Sequence, residues 1–401
     1  MAGAEAGQIA LMVLSWKLTG SATQASLILF ASVVGRTAGA PLAGWIGDRY
    51  PRRIVMLTSE LLLGLTLASM ALATTFWMLF ALAVVTSFIG LTNGAALDAG
   101  IASLVPDRDL ARANATMGIG RTIGHMVGPV LAGVLIGAFG VRSAFLLDGL
   151  TSWIAACAVL AIAGDLGRGG AGRAPGSADG SSNGGALEGL RVIAEDPVLR
   201  LMVAGWCAMC VCFGFVMAAE LPLSIAFGMD ARGLAAIATC WCAGSLVGAT
   251  LCRRVGIQRR GASVLVGVAL ACAIAFGGTS IAPSFAVVLT LMAFGGAAMA
   301  MGDVVEATLV QLRTDDAVRA RTMAAYQGIT SAVWGANLAL SGLVVEATSA
   351  RVAYAWAGLW CLVAAVGFGL VVRAMRTELV VRDLRSIRPR HALESELAEG
   401  A

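Results

Sequence analysis

Few residues in this chain have side chains that could do chemistry, and most are acids and bases set inside long apolar runs. Asp303 and Glu306 are three apart, so on a helix they share a face. A carboxyl taken out of water favours its neutral form, so Asp303 or Glu306 could bind a proton, and a cationic solute could use the same group. Arg121 and His125 are four apart. His125 is either a proton carrier, since free imidazole titrates near pH ~6.5, or a satisfied core histidine. Arg36, Asn93, Asp98 and Asp148 stand singly in apolar runs. Arg36 is expected to face a cavity or an acidic partner. Glu220 and Glu346 fall near the ends of their runs and are expected to be solvated. No nucleophile–base set, phosphate loop or metal cluster accompanies them, so the chain is not read as an enzyme and no cofactor or metal is expected. Cys207 and Cys210 form C-x-x-C without a second ligand pair, and all nine cysteines lie in apolar segments as plain thiols. The absence of G-x-x-x-x-G-K argues against direct ATP drive.

The elements that carry these residues are apolar helices. The chain is 58% hydrophobic and 13% charged, with a mean hydropathy of +0.84, against about 25% charged in soluble domains. Its 401 residues accommodate twelve apolar runs, at roughly 4–18, 24–46, 54–74, 76–101, 111–138, 142–163, 198–219, 231–252, 261–281, 284–310, 320–346 and 352–374. In a bilayer a lipid-exposed backbone must satisfy its own hydrogen bonds, so such runs are read as helices. The first run is short and begins almost at Met1, which leaves its start open, and it lacks the basic flank of a cleavable signal peptide. Arginines cluster after the even-numbered runs: Arg49, Arg52 and Arg53; Arg108 and Arg112; Arg253, Arg254, Arg259 and Arg260; Arg313, Arg319 and Arg321. The opposite connections hold only Lys17, Arg142, Arg232 and Arg351. That asymmetry places both termini in the cytoplasm of a multi-pass protein of a bacterial-type inner membrane. The net charge of +4 is small and implies no nucleic-acid partner.

The chain divides into residues 1–163, a linker at 164–197, residues 198–374 and a cytoplasmic tail at 375–401 that is expected to be loosely ordered. The stretch 167–185 is a Gly/Ser-rich flexible linker, and 187–200 could form an amphipathic helix on the membrane surface. The two long segments resemble each other weakly. A shift of 207 residues superposes Asp109 on Asp316, Arg112 on Arg319, Gly128 on Gly335 and Trp153 on Trp360; a shift of 204 superposes Gly44 on Gly248 and Arg49 on Arg253. Parallel repeats of six spans point to a cavity between two halves that rock against each other.

Two motifs carry a family resemblance. Gly44-Trp45-Ile46-Gly47-Asp48-Arg49-Tyr50-Pro51-Arg52-Arg53 resembles G-x-x-x-D-R-x-G-R-R, the signature between spans two and three of the major facilitator superfamily, with Pro51 in place of a Gly. Its reading is a helix end closely packed at Gly44, followed by charges that pair across one face in one rocking state and part in the other. In the second half Cys252 is expected where the Asp would stand. The fifth run, with Gly120, Arg121, Gly124, Gly128, Pro129 and Gly133, resembles the antiporter motif G-x-x-x-G-P-x-x-G-G of superfamily exporters, with Ala132 for one Gly. Its glycines would give a flat face for close helix approach, and Pro129 a bend. With the segment 105–115 it is similar to the exporter branch of siderophore and macrolide efflux proteins.

The resemblance implies an all-α membrane protein of the major facilitator fold, twelve transmembrane helices in two pseudo-symmetric six-helix bundles. It also implies that spans one, four, seven and ten line the cavity, which draws in Glu5, Gln8, Asn93, Asp98, Asp303 and Glu306. Asp98 is either a gate residue pairing with Arg52 or Arg53, or a substrate residue; Glu306 could pair with Arg319 or Arg321. The expected activity is proton-driven export of a small amphipathic molecule by a monomer in the bilayer. Uptake by a facilitator or symporter and a non-transporting membrane sensor are the alternatives.

Overall fold

A computed structural model describes residues 2–104, 107–161, 183–229, 231–252, 257–315 and 318–399. Thirteen helices and no strand occur among them: α1 Ala2–Thr19, α2 Ala22–Arg49, α3 Arg52–Ala71, α4 Phe76–Leu104, α5 Asp107–Phe139, α6 Arg142–Ala161, α7 Asn183–Glu195, α8 Pro197–Ala226, α9 Ala231–Cys252, α10 Ile257–Ser280, α11 Phe285–Arg313, α12 Arg319–Ala347 and α13 Ala350–Glu399. Among the described residues nine helices are long and apolar enough to cross a membrane by length and composition. The remaining long ones, α1, α2 and α5, complete the same packing pattern. Mid-helix apolar side chains such as Val134, Ile274 and Val366 face outward, as suits a lipid-facing surface.

The packing pattern is written twice. Within the first half α2 lies on α4, α3 on α4 and α6, and α1 on α5 and α6; within the second α9 lies on α11, α10 on α11 and α13, and α8 on α12 and α13. Small residues fix the register. Gly35 faces the Val84 carbonyl and Gly244 the Ala293 carbonyl; Gly39 faces Phe88 and Gly248 faces Ala297; Gly149 faces the Gly64 carbonyl and Gly358 that of Ala273. Each second contact is the first advanced by 209 residues, a correction to the shifts of 207 and 204 read from residue identity. The contacts that matter are close backbone approaches, which require Gly or Ala rather than a particular matching letter. With this register Cys252 stands opposite Ala43, not Asp48.

Two further expectations change. The segment 183–195 does not lie free on a surface: α7 docks on α12, where Gly189 meets the Arg321 carbonyl, Glu188 pairs with Arg321, and Ile193 is buried in the core of the second half. The tail continues α13 to Glu399. The linker 162–182 lies outside the described residues.

The halves meet toward one end, the arginine-poor end that carries the α1–α2, α5–α6, α8–α9 and α12–α13 turns. Leu221, Leu234 and Leu338 of the second half are buried in the core cluster of the first, and Trp16 packs against both clusters. Gly20, which turns α1 into α2, has φ 66, a conformation that a side chain would strain. At the opposite end Gly44 and Gly47 of α2, Gly120 of α5 and Gly328 of α12 have open space where a Cβ would stand.

Candidate functional site

A cavity of about 180 Å³ opens between the halves, mid-way along the helices. Gln8, Ser32, Arg36, Thr86, Ser87 and Asp148 supply its polar wall from α1, α2, α4 and α6; Met217 of α8 and Trp334 of α12 close it from the second half. Arg36 thus lines the cavity itself. Asp148 is buried, and α1 makes room for it with two glycines one turn apart. A Cβ on Gly7 would lie 2.5 Å from Asp148 Oδ2, and one on Gly3 2.8 Å from Oδ1. The charges of Glu60 and Glu5 both act on Asp148. Glu5, half-buried on α1, lies near Cys242 of α9 across the interface, as does Glu220 of α8.

Glu60 is not among the acids singled out from the sequence, although it is the one acid of α3. Asn93 Nδ2 donates to Glu60 Oε1 at 2.8 Å, and Ser152 of α6 lies beside the same carboxyl. Asn93 therefore serves α3 and α4 together, with its own Oδ1 buried and unpaired among the described residues.

In the second half Asp303 and Glu306 share a face of α11 as their spacing dictates, yet their surroundings differ. Asp303 stays exposed although its charge reaches Cys210 of α8 and Cys272 of α10. Glu306 is buried and faces the Tyr326 hydroxyl of α12, beside Cys207 and Cys210. The same hydroxyl donates to the Met202 carbonyl at 3.4 Å. Neither expected arginine takes Glu306. Arg319 donates to the Gln311 and Thr314 carbonyls at the end of α11, and Arg321 is held by Glu188. The reason is depth: both arginines sit in the first turn of α12, whereas Tyr326 lies a turn or two further in, level with Glu306. Arg313, in the last turn of α11, instead pairs with Asp196 at 2.6 Å, and Asp196 also caps α8 through Val198 N and Leu199 N.

Glu220 is half-buried rather than solvated, beside Tyr354 of α13; α8 runs on to Ala226, which carries this acid inside the bundle. Glu346 is exposed but engaged by α2.

The loop motif shows an unexpected arrangement. Gly44 is exposed rather than closely packed. Arg49 lies over the Trp45 ring at 5.5 Å, and Arg53 Nη2 donates to the Leu160 carbonyl at 2.6 Å, tying α3 to the end of α6 within one half. Arg52 has a partner. The side chains of Asp48, Asp98, Arg121 and His125 lie outside the described residues, so their expected pairings have no described geometry. On α5, Gly124, Gly128 and Pro129 are buried, Gly120 is open, and Gly133 approaches Ala235 of α9, where a Cβ would stand 2.8 Å from the alanine methyl. Among the described residues no group of three or more His, Cys, Asp or Glu could hold a metal ion.

Comparison with known proteins fits this architecture. The family model described as Major Facilitator Superfamily matches residues 4–281. The multi-drug resistance efflux pump PmrA of Streptococcus pneumoniae is 30% identical over 134 residues, 33% of each chain. The class C tetracycline resistance protein of Escherichia coli is 39% identical over 109 residues, 27% of this chain and 26% of that one. The chain thus spans about a quarter to a third of the length of these curated relatives in alignment. Among solved structures, a bacterial homologue of the human lysosomal transporter Spinster, inward-facing and unoccupied, superposes with TM-score 0.69 at 15% identity over 93% of this chain and 94% of that one. A point mutant of the nucleoside transporter NupG gives 0.67 at 14% identity over 92% of this chain and 100% of that one. These likenesses are of fold.

Proposed function

The chain belongs to the major facilitator superfamily, is a transporter rather than an enzyme, and we propose that it exports a small amphipathic molecule in exchange for protons. On this reading residues 1–163 and 198–374 are the two rocking halves, with the linker and tail on the cytoplasmic side of a bacterial-type inner membrane. The observation that carries it is the cavity shared by both halves, small, largely apolar and furnished with a few polar groups, together with a buried carboxyl on the second half. Such a lining suits a solute with an apolar body and a limited polar head. The efflux relatives point the same way on direction.

Glu306 is the proton carrier in this scheme. The Tyr326 hydroxyl has one proton, and both the Met202 carbonyl and the Glu306 carboxyl compete for it. A proton on Glu306 resolves the competition, since the acid can then donate to the phenol oxygen while the phenol donates to Met202. Asp303, exposed one turn away, offers the route by which that proton or a cationic head arrives. The arginine-rich end faces the cytoplasm, so the arrangement is closed to the outside and open within.

The test has two arms. Proteoliposomes with an imposed pH gradient should lose gradient-driven transport of tetracycline or ethidium in Glu306→Gln, with Tyr326→Phe intermediate; undiminished gradient-driven transport in Glu306→Gln removes it as carrier. Cells expressing the chain should accumulate less of the same probes, and greater accumulation would establish uptake instead.

A further inference from the structure

The arginine-poor face is held shut at two places, and the two are symmetry mates of opposite charge. At the first, α12 of the second half meets the start of α2. Ser21 Oγ donates to Glu346 Oε2 at 2.7 Å, Thr23 N donates to the same oxygen at 3.2 Å, and the Thr23 hydroxyl joins them. Ser21 is the N-cap of α2, its own hydroxyl accepting from Gln24 N. A carboxylate therefore sits where the first N–H groups of a helix lack partners and its dipole is positive. At the second place α9 meets the end of α5, and Arg232 Nη2 donates to the Gly137 carbonyl at 3.1 Å. Gly137 belongs to the last turn of α5, where carbonyls lack partners and the dipole is negative. Advancing Thr23 by 209 gives Arg232, and advancing Gly137 by 209 gives Glu346, so the register that relates the two helix packings also relates the two contacts.

We propose that Glu346 and Arg232 are positioning residues for alternating access: a two-point latch that holds this face closed and must release before it opens. The proposal rests on the reading that the halves rock, but not on what is carried or in which direction. Each latch joins a charge on the second half to a helix end on the first. Both break together if the halves separate at this face, a motion that moves α12 off α2 and α9 off α5 at once. The latches are exposed to solvent, so each is weak and reversible, and salt screens them.

The experiment reads the face directly. The full chain in lipid nanodiscs carries spin labels on unnatural amino acids at Leu72 and Ile281, which are 71% and 79% exposed at this face on opposite halves. Pulsed dipolar spectroscopy then gives the ratio of wide to narrow distances. Glu346→Ala and Arg232→Ala should each raise that ratio about two- to fivefold, and the double variant by roughly the product. Potassium chloride at high concentration should raise it in the unmodified chain and leave the double variant unmoved. Glu346→Gln keeps an acceptor for Ser21 and Thr23 while removing the charge, and should fall between the unmodified chain and Glu346→Ala; it answers the case in which the alanine variant folds poorly. Distances unchanged in both Arg232→Ala and Glu346→Gln would overturn the latch. Changed distances with no transport of any probe would leave the latch standing and remove the export reading.

Discussion

Replacing Gly342 by alanine tests whether the α2–α12 contact sets the closed state. The added Cβ would stand 2.6 Å from Thr23 Cα, 2.8 Å from Ser26 Oγ and 2.9 Å from the Ala22 carbonyl oxygen. Two of those three atoms are backbone of α2, so no rotamer change relieves them and the helices must part. Overpacking of this kind costs about 1–3 kcal/mol. At about 1.4 kcal/mol per tenfold, that is roughly a 5- to 150-fold shift from closed toward open. The cost falls on the closed state alone, because α2 and α12 separate when the face opens. The symmetry mate supplies the control. At Gly133 a Cβ meets only the methyl of Ala235, at 2.8 Å, so Gly133→Ala should shift the ratio less. The wide-to-narrow distance ratio between labels at Leu72 and Ile281 measures both. A Gly133→Ala effect equal to or larger than that of Gly342→Ala would refute the reasoning, as would an unmoved ratio in Gly342→Ala.

Ser26→Ala should act in the opposite sense. Ser26 Oγ is buried without a hydrogen-bond partner among the described residues, and removing it relieves the closed state by about 1 kcal/mol or more, read as a narrower distance distribution. Gly7→Ala should displace the Asp148 carboxylate from its notch on α1 and lower gradient-driven transport in proteoliposomes, while Asp148→Asn, which keeps the shape, separates charge from position. Asp196→Ala removes both the cap on Val198 N and Leu199 N and the partner of Arg313, and should cost about 1–3 kcal/mol, seen as a lower melting temperature in detergent.

Apolar runs and arginine placement made the fold legible, because helix length and sidedness are written in composition that a bilayer enforces. Asp303 and Glu306 sharing a face follows from helical spacing alone. What each touches does not. Tyr326 reaches Glu306 from another helix, and Glu60 meets Asn93 across α3 and α4, pairings that depend on helix rotation rather than on any local pattern. The repeat register failed for a related reason. Identity matching favoured Trp153 with Trp360 and Gly44 with Gly248, but the structure repeats places where backbones touch, and those places accept Gly at one copy and Ala at the other, as at Gly64 and Ala273. Glu346 reads in sequence as a solvated acid at the end of its run and Arg232 as a connection charge, because nothing in sequence shows that a helix end from the other half lies beside them.

The closed face is balanced rather than locked. In its favour stand the two latches, each about 0.3–1 kcal/mol at an exposed helix end, and the burial of Leu221, Leu234 and Leu338 against the first half. Against it stand buried polar atoms of α1 and α2 without partners among the described residues, Ser15 Oγ, Gln24 Oε1 and Ser26 Oγ. Opening would hydrate atoms of this kind, each worth about 1–3 kcal/mol when left unpaired. The closed face thus carries costs as well as favourable contacts. A solute or proton shifts such an equilibrium only by its difference in affinity for the two states. Moving the ratio from 1:99 to 99:1 takes about 5.5 kcal/mol of differential binding. The ionisable groups that could supply that difference are not repeated between halves: Arg36, Glu60 and Asp148 belong to the first, and Glu220, Asp303 and Glu306 to the second. The register of 209 residues thus duplicates the close contacts between halves at Gly133 and Gly342 while leaving the ionisable groups single, so that on the proposed scheme one protonation event would bias two halves otherwise built alike.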